Sequence, residues 1–139
     1  MPKRVVVVDD DNDILQIIKY VLEEQKISVK AVSDIVSFQG IIDWQPDLIL
    51  LDDWLSDGRG GELCKKIKTG QGSVNSPVIL VSAVNNLAEI AQINGADDFI
   101  SKPFDIDLLL EKVNFWLRNK RENMPEMAAI TVPVRTGTI

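Results

Sequence analysis

Four strand-like runs of the sequence end at side chains suited to phosphoryl chemistry. They are Asp9 and Asp10 after Val5–Val8, Asp52 and Asp53 after Leu48–Leu51, Ser82 after Val78–Val81, and Lys102 after Asp98–Ser101. Crowded carboxylates repel one another, and a lysine or a divalent cation relieves the repulsion; Mg²⁺ suits a ligand set made only of oxygen atoms. Phosphoryl transfer to an aspartate uses these same groups. Each residue alone could cap a helix or be a solvated charge, but the combination indicates a phosphoryl-transfer site.

The elements that must bring these side chains together are short strands alternating with helices. The predicted strands are Val5–Val8, Ser28–Val32, Leu48–Leu51, Val78–Val81 and Asp98–Ser101. The predicted helices contain Ile14–Leu22, Ile35–Ile42 (ending before Pro46), Leu63 and Ile67, Leu87–Ile93 (closed by Gly95) and Leu108–Leu117 (capped by Asp105), with a turn at Asp57–Gly61. This alternation implies βαβ units and a parallel sheet with helices on both faces. Such sheets bind ligands beyond the carboxyl ends of their strands, where all the candidate residues are expected.

The composition fits one soluble domain and excludes several classes of function. The chain has 139 residues, 45% of them hydrophobic, and a net charge of −6. It contains no histidine and one cysteine, Cys64, which excludes Ser-His-Asp triads, internal disulfides and Cys-pair zinc sites. The negative charge makes nucleic acid and anionic membranes poor partners. The run Val5–Val8 is too short for a signal peptide or a membrane span, so a cytoplasmic protein with a buried Cys64 is expected.

Four motifs together resemble those of a known family. They are V-V-V-V-D-D-D at the first strand, P-D-L-I-L-L-D at the third, P-V-I-L-V-S-A at the fourth and G-A-D-D-F-I-S-K-P-F around the fifth. With them, residues 3–120 resemble a response-regulator receiver domain of two-component signalling, similar to a single-domain chemotaxis receiver. The resemblance implies a flavodoxin-like, doubly wound sheet of five parallel strands in the order 2-1-3-4-5, with five helices.

The resemblance assigns a role to each candidate residue. It implies that Asp52 accepts the phosphoryl group and that Lys102 binds the phosphate. It also implies that Mg²⁺ is bound by Asp9, Asp10, Asp52 and the backbone carbonyl of Trp54. Ser82 is implied to be the switch hydroxyl, Phe99 the switch aromatic and Gly60 the loop glycine. The resemblance also implies a cis Lys102–Pro103 bond. The side chains that flank the attacking water are expected to be Trp54 and Val84. Because both are apolar, slow self-dephosphorylation is predicted.

The sequence departs from the family pattern at several positions. Asp53 adds a second acid beside the acceptor, Arg59 stands where an acid is common, and Ser56 replaces a common proline. The segment from Ser82 to Gly95 is short, which predicts a short or shifted fourth helix.

The implied function is a phosphorylation-dependent signalling switch that is not an enzyme beyond its own phosphoryl transfer and slow dephosphorylation. The expected partners are a sensor histidine kinase or phosphotransfer protein, a downstream protein target and, in some states, a second copy of the chain. Two alternatives stay open. One is a pseudo-receiver that binds partners without being phosphorylated, and the other is a haloacid-dehalogenase-type phosphatase that uses Asp9 and Asp11.

The end of the chain has a different character. Residues 121–139 contain Pro125 and Pro133 and no apolar period, which predicts a flexible tail after a receiver domain at 1–120.

Overall fold

The long apolar runs form one five-stranded parallel sheet in a computed structural model that describes residues 2–70 and 75–119. Its strands are β1 (Arg4–Val8), β2 (Ser28–Val32), β3 (Leu48–Leu51), β6 (Val78–Ser82) and β7 (Asp98–Ser101), and a separate antiparallel hairpin contains β4 (Trp54–Leu55) and β5 (Gly58–Arg59). The sheet order is β2-β1-β3-β6-β7. Counted along the sheet strands alone, this is the order 2-1-3-4-5, so the predicted flavodoxin-like fold is confirmed.

In the part of the chain that the structure describes, four helices connect strands of the sheet and a fifth follows the last strand. They are α1 (Asn12–Glu24), α2 (Ile35–Gly40), α3 (Gly60–Thr69), α4 (Leu87–Asn94) and α5 (Ile106–Arg118). Asp105 caps α5 as predicted, because it accepts from the amide of Asp107. Asp11 caps α1 in the same way, by accepting from the amides of Asp13 and Ile14. Helix α4 is short, as predicted, and ends at Gly95 in the left-handed conformation that glycine adopts without strain.

The two faces of the sheet carry separate apolar clusters. One contains the inner faces of α1 and α5 with alternate residues of the strands, including the fully buried Trp116. The other contains α2, α3 and α4 with the intervening strand residues, including Cys64. Burial on both faces explains why the strands are continuous apolar runs. Cys64 lies in this core as predicted, and burial, chiefly, raises its thiol pKa to about 12.

Helix α2 is shorter than the sequence predicts. It ends at Gly40 and is followed by a separate 3₁₀ turn, Ile42–Trp44, so the prediction of one helix through Ile42 is wrong. Glycine is a poor helix former, and the residue before a proline disfavours the helical conformation. Gln45, which precedes Pro46, leaves the helical region for the left-handed conformation, with φ 58° and ψ 65°.

The segment after β3 is also more ordered than a simple turn. It forms the β4–β5 hairpin, and α3 begins at Gly60, inside the predicted turn Asp57–Gly61. The two carboxylate oxygens of Asp57 accept from the backbone amides of Ile35 and Val36, at 2.9 Å and 3.1 Å. The hairpin is therefore attached to the N-terminus of α2.

The strand register aligns the carboxyl ends of the central strands. Val8 of β1 lies beside Leu51 of β3, so the residues that follow them, Asp9 and Asp52, emerge together at one edge. The Lys102–Pro103 bond is cis. Within the described ranges, no helix is both long and apolar enough to cross a membrane. The predicted tail, 121–139, lies outside the described residues.

Candidate functional site

Three carboxylates meet at the carboxyl end of the sheet. Asp9, Asp10 and Asp52 each offer an oxygen atom, and these atoms lie within 4.8 Å of one another. Asp9 and Asp52 are buried and Asp10 is exposed. The buried pair follows from the parallel register of β1 and β3, whereas Asp10 lies in the loop that leads to α1.

Lys102 binds both buried carboxylates. Its Nζ donates to Asp9 Oδ2 at 2.6 Å and to Asp52 Oδ2 at 3.4 Å. The remaining carboxylate oxygens accept from backbone amides: Asp9 Oδ1 from Asp11 at 2.9 Å, and Asp52 Oδ1 from Trp54 at 3.4 Å. Lys102 reaches the site because it follows β7 and its amide donates to the Ser82 carbonyl, at 2.9 Å.

Burial and charge move the pKa values of this pair. Burial raises the pKa of Asp9, and the repulsion of Asp52 adds to that effect, while hydrogen bonds from Lys102 and the Asp11 amide oppose it without cancelling it. Burial alone would lower the pKa of Lys102, but the hydrogen bond to Asp9 and the charges of Asp9 and Asp52 outweigh it, and the net shift is upward. Burial thus disfavours the charged form of Asp9, while the two carboxylates favour the charged form of Lys102.

The donor set fits a hard divalent cation. All three side chains offer carboxylate oxygens, and three potential negative charges face the single ammonium of Lys102. Oxygen ligands with an open, solvated side are what Mg²⁺ prefers, and the exposed Asp10 supplies that side. This cluster could hold a metal ion, as the sequence predicts for Asp9, Asp10 and Asp52.

The predicted switch residues lie on neighbouring strands. Ser82 is the last residue of β6 and is 1% exposed. Phe99 lies in β7 opposite Leu80, and its half-buried ring packs against the α2–α3–α4 cluster. The structure brings both to the same end of the sheet as Asp52, through the β3–β6 and β6–β7 pairings.

Comparison with known proteins assigns this arrangement to a family. The profile described as the response regulator receiver domain matches residues 5–114.

The chain belongs to this family.

Individual relatives agree with the assignment. The nisin biosynthesis regulatory protein NisR of Lactococcus lactis subsp. lactis is 36% identical over 133 residues, which cover 88% of this chain and 54% of NisR. The DNA-binding dual master transcriptional regulator RpaA of Synechocystis sp. is 30% identical over 128 residues, covering 90% of this chain and 53% of RpaA. This receiver-domain chain thus spans about half the length of the curated relatives that it matches.

A solved structure shows the same fold. The two-component response regulator from Clostridium difficile is 32% identical, with a TM-score of 0.76, over 88% of this chain and 99% of that one. The predicted membership of the receiver family is therefore confirmed. The family consists of response regulators, which are signalling proteins.

Two departures of this receiver domain from the usual pattern contact each other. The guanidinium of Arg59 pairs with Asp53 Oδ2, and Asp53 Oδ1 accepts from the Gly61 amide at 2.8 Å. Arg59 also lies over the ring of Trp54, 4.2 Å from its centroid. The sequence left the role of Asp53 open; the structure shows that it ties the hairpin to the start of α3. The signal that could have indicated this was the opposite charge of two unusual residues in one short loop.

The predicted gating residues differ in exposure. The side chain of Trp54 is stacked on Arg59 and 57% exposed, while its amide lies at the Asp52 carboxylate. Val84 is half-buried against the α2–α3–α4 cluster. Their gating role stays a prediction.

The predicted loop glycine of the receiver domain is required sterically. A Cβ at Gly60 would lie far inside van der Waals contact with the backbone oxygen of Asp52. The Gly60 amide donates to the Asp53 carbonyl at 2.8 Å, so α3 begins directly against the backbone of the two aspartates. A side chain here would displace the residue that is predicted to accept the phosphoryl group.

Proposed function

We propose that this receiver domain accepts a phosphoryl group on Asp52 from a phosphohistidine of a sensor histidine kinase or phosphotransfer protein. The observation that carries the proposal is the shared lysine: Lys102 Nζ binds Asp9 and Asp52 at once, within a cluster of three carboxylates. A carboxylate nucleophile next to a cation and a potential metal site is the arrangement that phosphoryl transfer uses.

The chemistry of the transfer assigns one task to each group. An oxygen of the Asp52 carboxylate attacks phosphorus as the bond from phosphorus to the donor imidazole breaks. Lys102 lies closer to Asp9 than to Asp52, at 2.6 Å against 3.4 Å, so its ammonium can turn toward the arriving oxygens while it stays in the site. Asp9, Asp10, Asp52 and the Trp54 carbonyl would hold Mg²⁺, which would neutralise the negative charge of those oxygens.

The switch follows from the new charge. A phosphorylated side chain carries about −1.5 to −2 charges and three strong acceptors. We propose that the Ser82 hydroxyl moves to donate a hydrogen bond to the phosphoryl oxygens. Phe99 then moves into the space that Ser82 leaves, which changes a protein-binding surface. Converting a 1:99 equilibrium to 99:1 requires roughly 5.5 kcal/mol of differential interaction, which a covalent dianion with its metal ion can provide.

The second part of the proposal concerns the output of the switch, that is, which molecules it acts on. NisR is named as a regulatory protein and RpaA as a DNA-binding regulator, and the chain covers about half of each. We propose that the 139 residues act through protein–protein contact, with either a separate target or a second copy. The expectation that these residues themselves do not bind nucleic acid stays a prediction, supported by their net charge of −6.

Intact-mass analysis after incubation with a small phosphodonor and Mg²⁺ tests the proposal. One added phosphoryl group is expected, absent without Mg²⁺ and abolished by Asp52→Asn. Asp53→Asn is the matched control, because it makes the same chemical change at the adjacent buried acid and should leave the acceptor intact. A phosphoryl group mapped to Asp9 would support a phosphatase. No modification by any donor, including a panel of kinases, would support the pseudo-receiver.

A further inference from the structure

At the edge of the sheet, the ion pair between Asp98 and Lys112 binds the backbone polar groups of Phe99. Strand β7 is the last strand of the sheet. The Phe99 amide donates to Asp98 Oδ1 at 2.8 Å, and the Phe99 carbonyl accepts from Lys112 Nζ at 2.8 Å. Asp98 Oδ1 and Lys112 Nζ also bind each other at 2.8 Å. The carboxylate and the ammonium thus take the places that the carbonyl and amide of another strand would occupy at an exposed edge.

The same pair connects this edge to α5. Lys112 and Asp98 are each only 6% exposed, and the second carboxylate oxygen, Asp98 Oδ2, accepts from Trp116 Nε1 at 3.0 Å. Desolvation offsets much of the attraction within a buried ion pair, so such a pair is weak evidence for a contribution to stability. The pair does fix the position of Phe99, because its carboxylate and its ammonium both bind the backbone of that residue.

The ring of Phe99 contacts the pair as well. Lys112 Nζ lies 5.3 Å from the ring centroid, within cation–π range. The amide, the carbonyl and the ring of Phe99 are therefore all engaged by the Asp98–Lys112 pair. A movement of the ring toward Ser82 would move it away from the ammonium.

We infer that Lys112 is a positioning residue that holds Phe99 in the unphosphorylated arrangement. The inference rests on the proposed function, in which Phe99 moves on phosphorylation. Lys112 favours the resting position of the ring through the cation–π contact, and a protein whose competent state is rarely populated reacts in proportion to that population. Because Lys112 belongs to α5, the position of Phe99 is coupled to the surface of that helix.

The test is a double-mutant cycle in the full chain, read as the initial rate of Asp52 phosphorylation by acetyl phosphate with Mg²⁺. Lys112→Met is expected to raise the rate by roughly two- to thirtyfold, the range that one cation–π contact spans. Lys112→Arg, which keeps the cation, should restore the wild-type rate. In a Phe99→Leu background, which lacks the ring, Lys112→Met should have no effect on the rate.

Trp116→Phe is the matched control, since it removes the hydrogen bond to Asp98 Oδ2 and leaves Lys112 and Phe99 in contact. A purely structural Lys112 would make Lys112→Met and Trp116→Phe behave alike, and the inference would be wrong. Equal effects of Lys112→Met with and without the Phe99 ring would overturn it too. If Lys112→Met does not fold, Lys112→Gln replaces it in the cycle, because the amide keeps a donor for the Phe99 carbonyl. A wild-type protein that is not phosphorylated would overturn the proposed function and this inference together.

Discussion

Gly60 is a residue at which the proposed phosphorylation site has no room for a side chain. Gly60→Ala forces α3 or Asp52 to move, and we expect it to lower the free energy of unfolding by about 1–3 kcal/mol and to slow phosphorylation. Gly40 is the matched control. A Cβ at this helical position meets nothing within 4 Å, so Gly40→Ala should be neutral or stabilise by up to about 1 kcal/mol. Urea unfolding of both variants measures the difference, and an equal effect would contradict the steric argument.

The lifetime of the phosphoryl group is also a residue-scale property. Trp54 and Val84 are apolar side chains that cannot orient a water molecule, so slow self-dephosphorylation is expected in the wild type. Trp54→Asn, whose amide can orient a water molecule, and Val84→Glu, whose carboxylate can also accept its proton, should both accelerate the decay. The gain is expected to reach about 10²-fold where the carboxylate acts as a general base. The measurement is loss of phosphorylated protein after donor removal. Wild-type decay as fast as that of both variants would show that these side chains do not control the water.

Single residues show how far the sequence could predict the site. Asp9, Asp52 and Lys102 were predictable because each follows a buried strand, and parallel strands place their ends together. For the pairing of Asp53 with Arg59 the sequence offers only their opposite charges, because the hairpin that brings them together has strands of two residues each. Two-residue strands leave no periodicity in a sequence.

At the scale of elements, the attachment of the hairpin to α2 is testable. Asp57 accepts from two first-turn amides of α2, so Asp57→Ala should lower the free energy of unfolding by about 0.5–2 kcal/mol, as for other helix caps. Asp57→Asn should have a smaller effect, since its one amide oxygen can still accept. Chemical denaturation ranks the variants. Equal losses for Ala and Asn would mean that charge, rather than the paired hydrogen bonds, carries the effect.

The elements that the sequence predicted well are those whose burial leaves a pattern. The five sheet strands, α1, α4 and α5 agree closely with the predictions because their apolar residues recur at strand or helix spacing over several residues. The end of α2 and the start of α3 were misplaced. Both contain glycine, and there the tertiary contacts of the β4–β5 hairpin and the residues around Pro46 decide the backbone conformation.

At the scale of the whole molecule, the proposed Mg²⁺ site links metal binding to folding. Mg²⁺ at the proposed site would bind only the folded chain, so it should raise the melting temperature; a concentration 100 times Kd corresponds to about 2.7 kcal/mol. Asp10→Asn should abolish the Mg²⁺-induced shift. Asp13 is an exposed acid in the first turn of α1, so Asp13→Asn should retain the Mg²⁺-induced shift. Thermal melts with and without Mg²⁺ decide, and a full shift in Asp10→Asn would remove Asp10 from the ligand set.

Chemical labelling of Cys64 can measure how often the core of the protein opens. The chain has one cysteine, so every thiol reaction comes from a single site. Because the folded thiol has a pKa of about 12 against the ordinary 9.0, it keeps its proton where the unfolded thiol loses it, and the free energy of unfolding should fall as pH rises above 9. Below that range, alkylation by iodoacetamide should proceed only through opened molecules. The rate of labelling therefore measures how often the core is exposed, with no added probe.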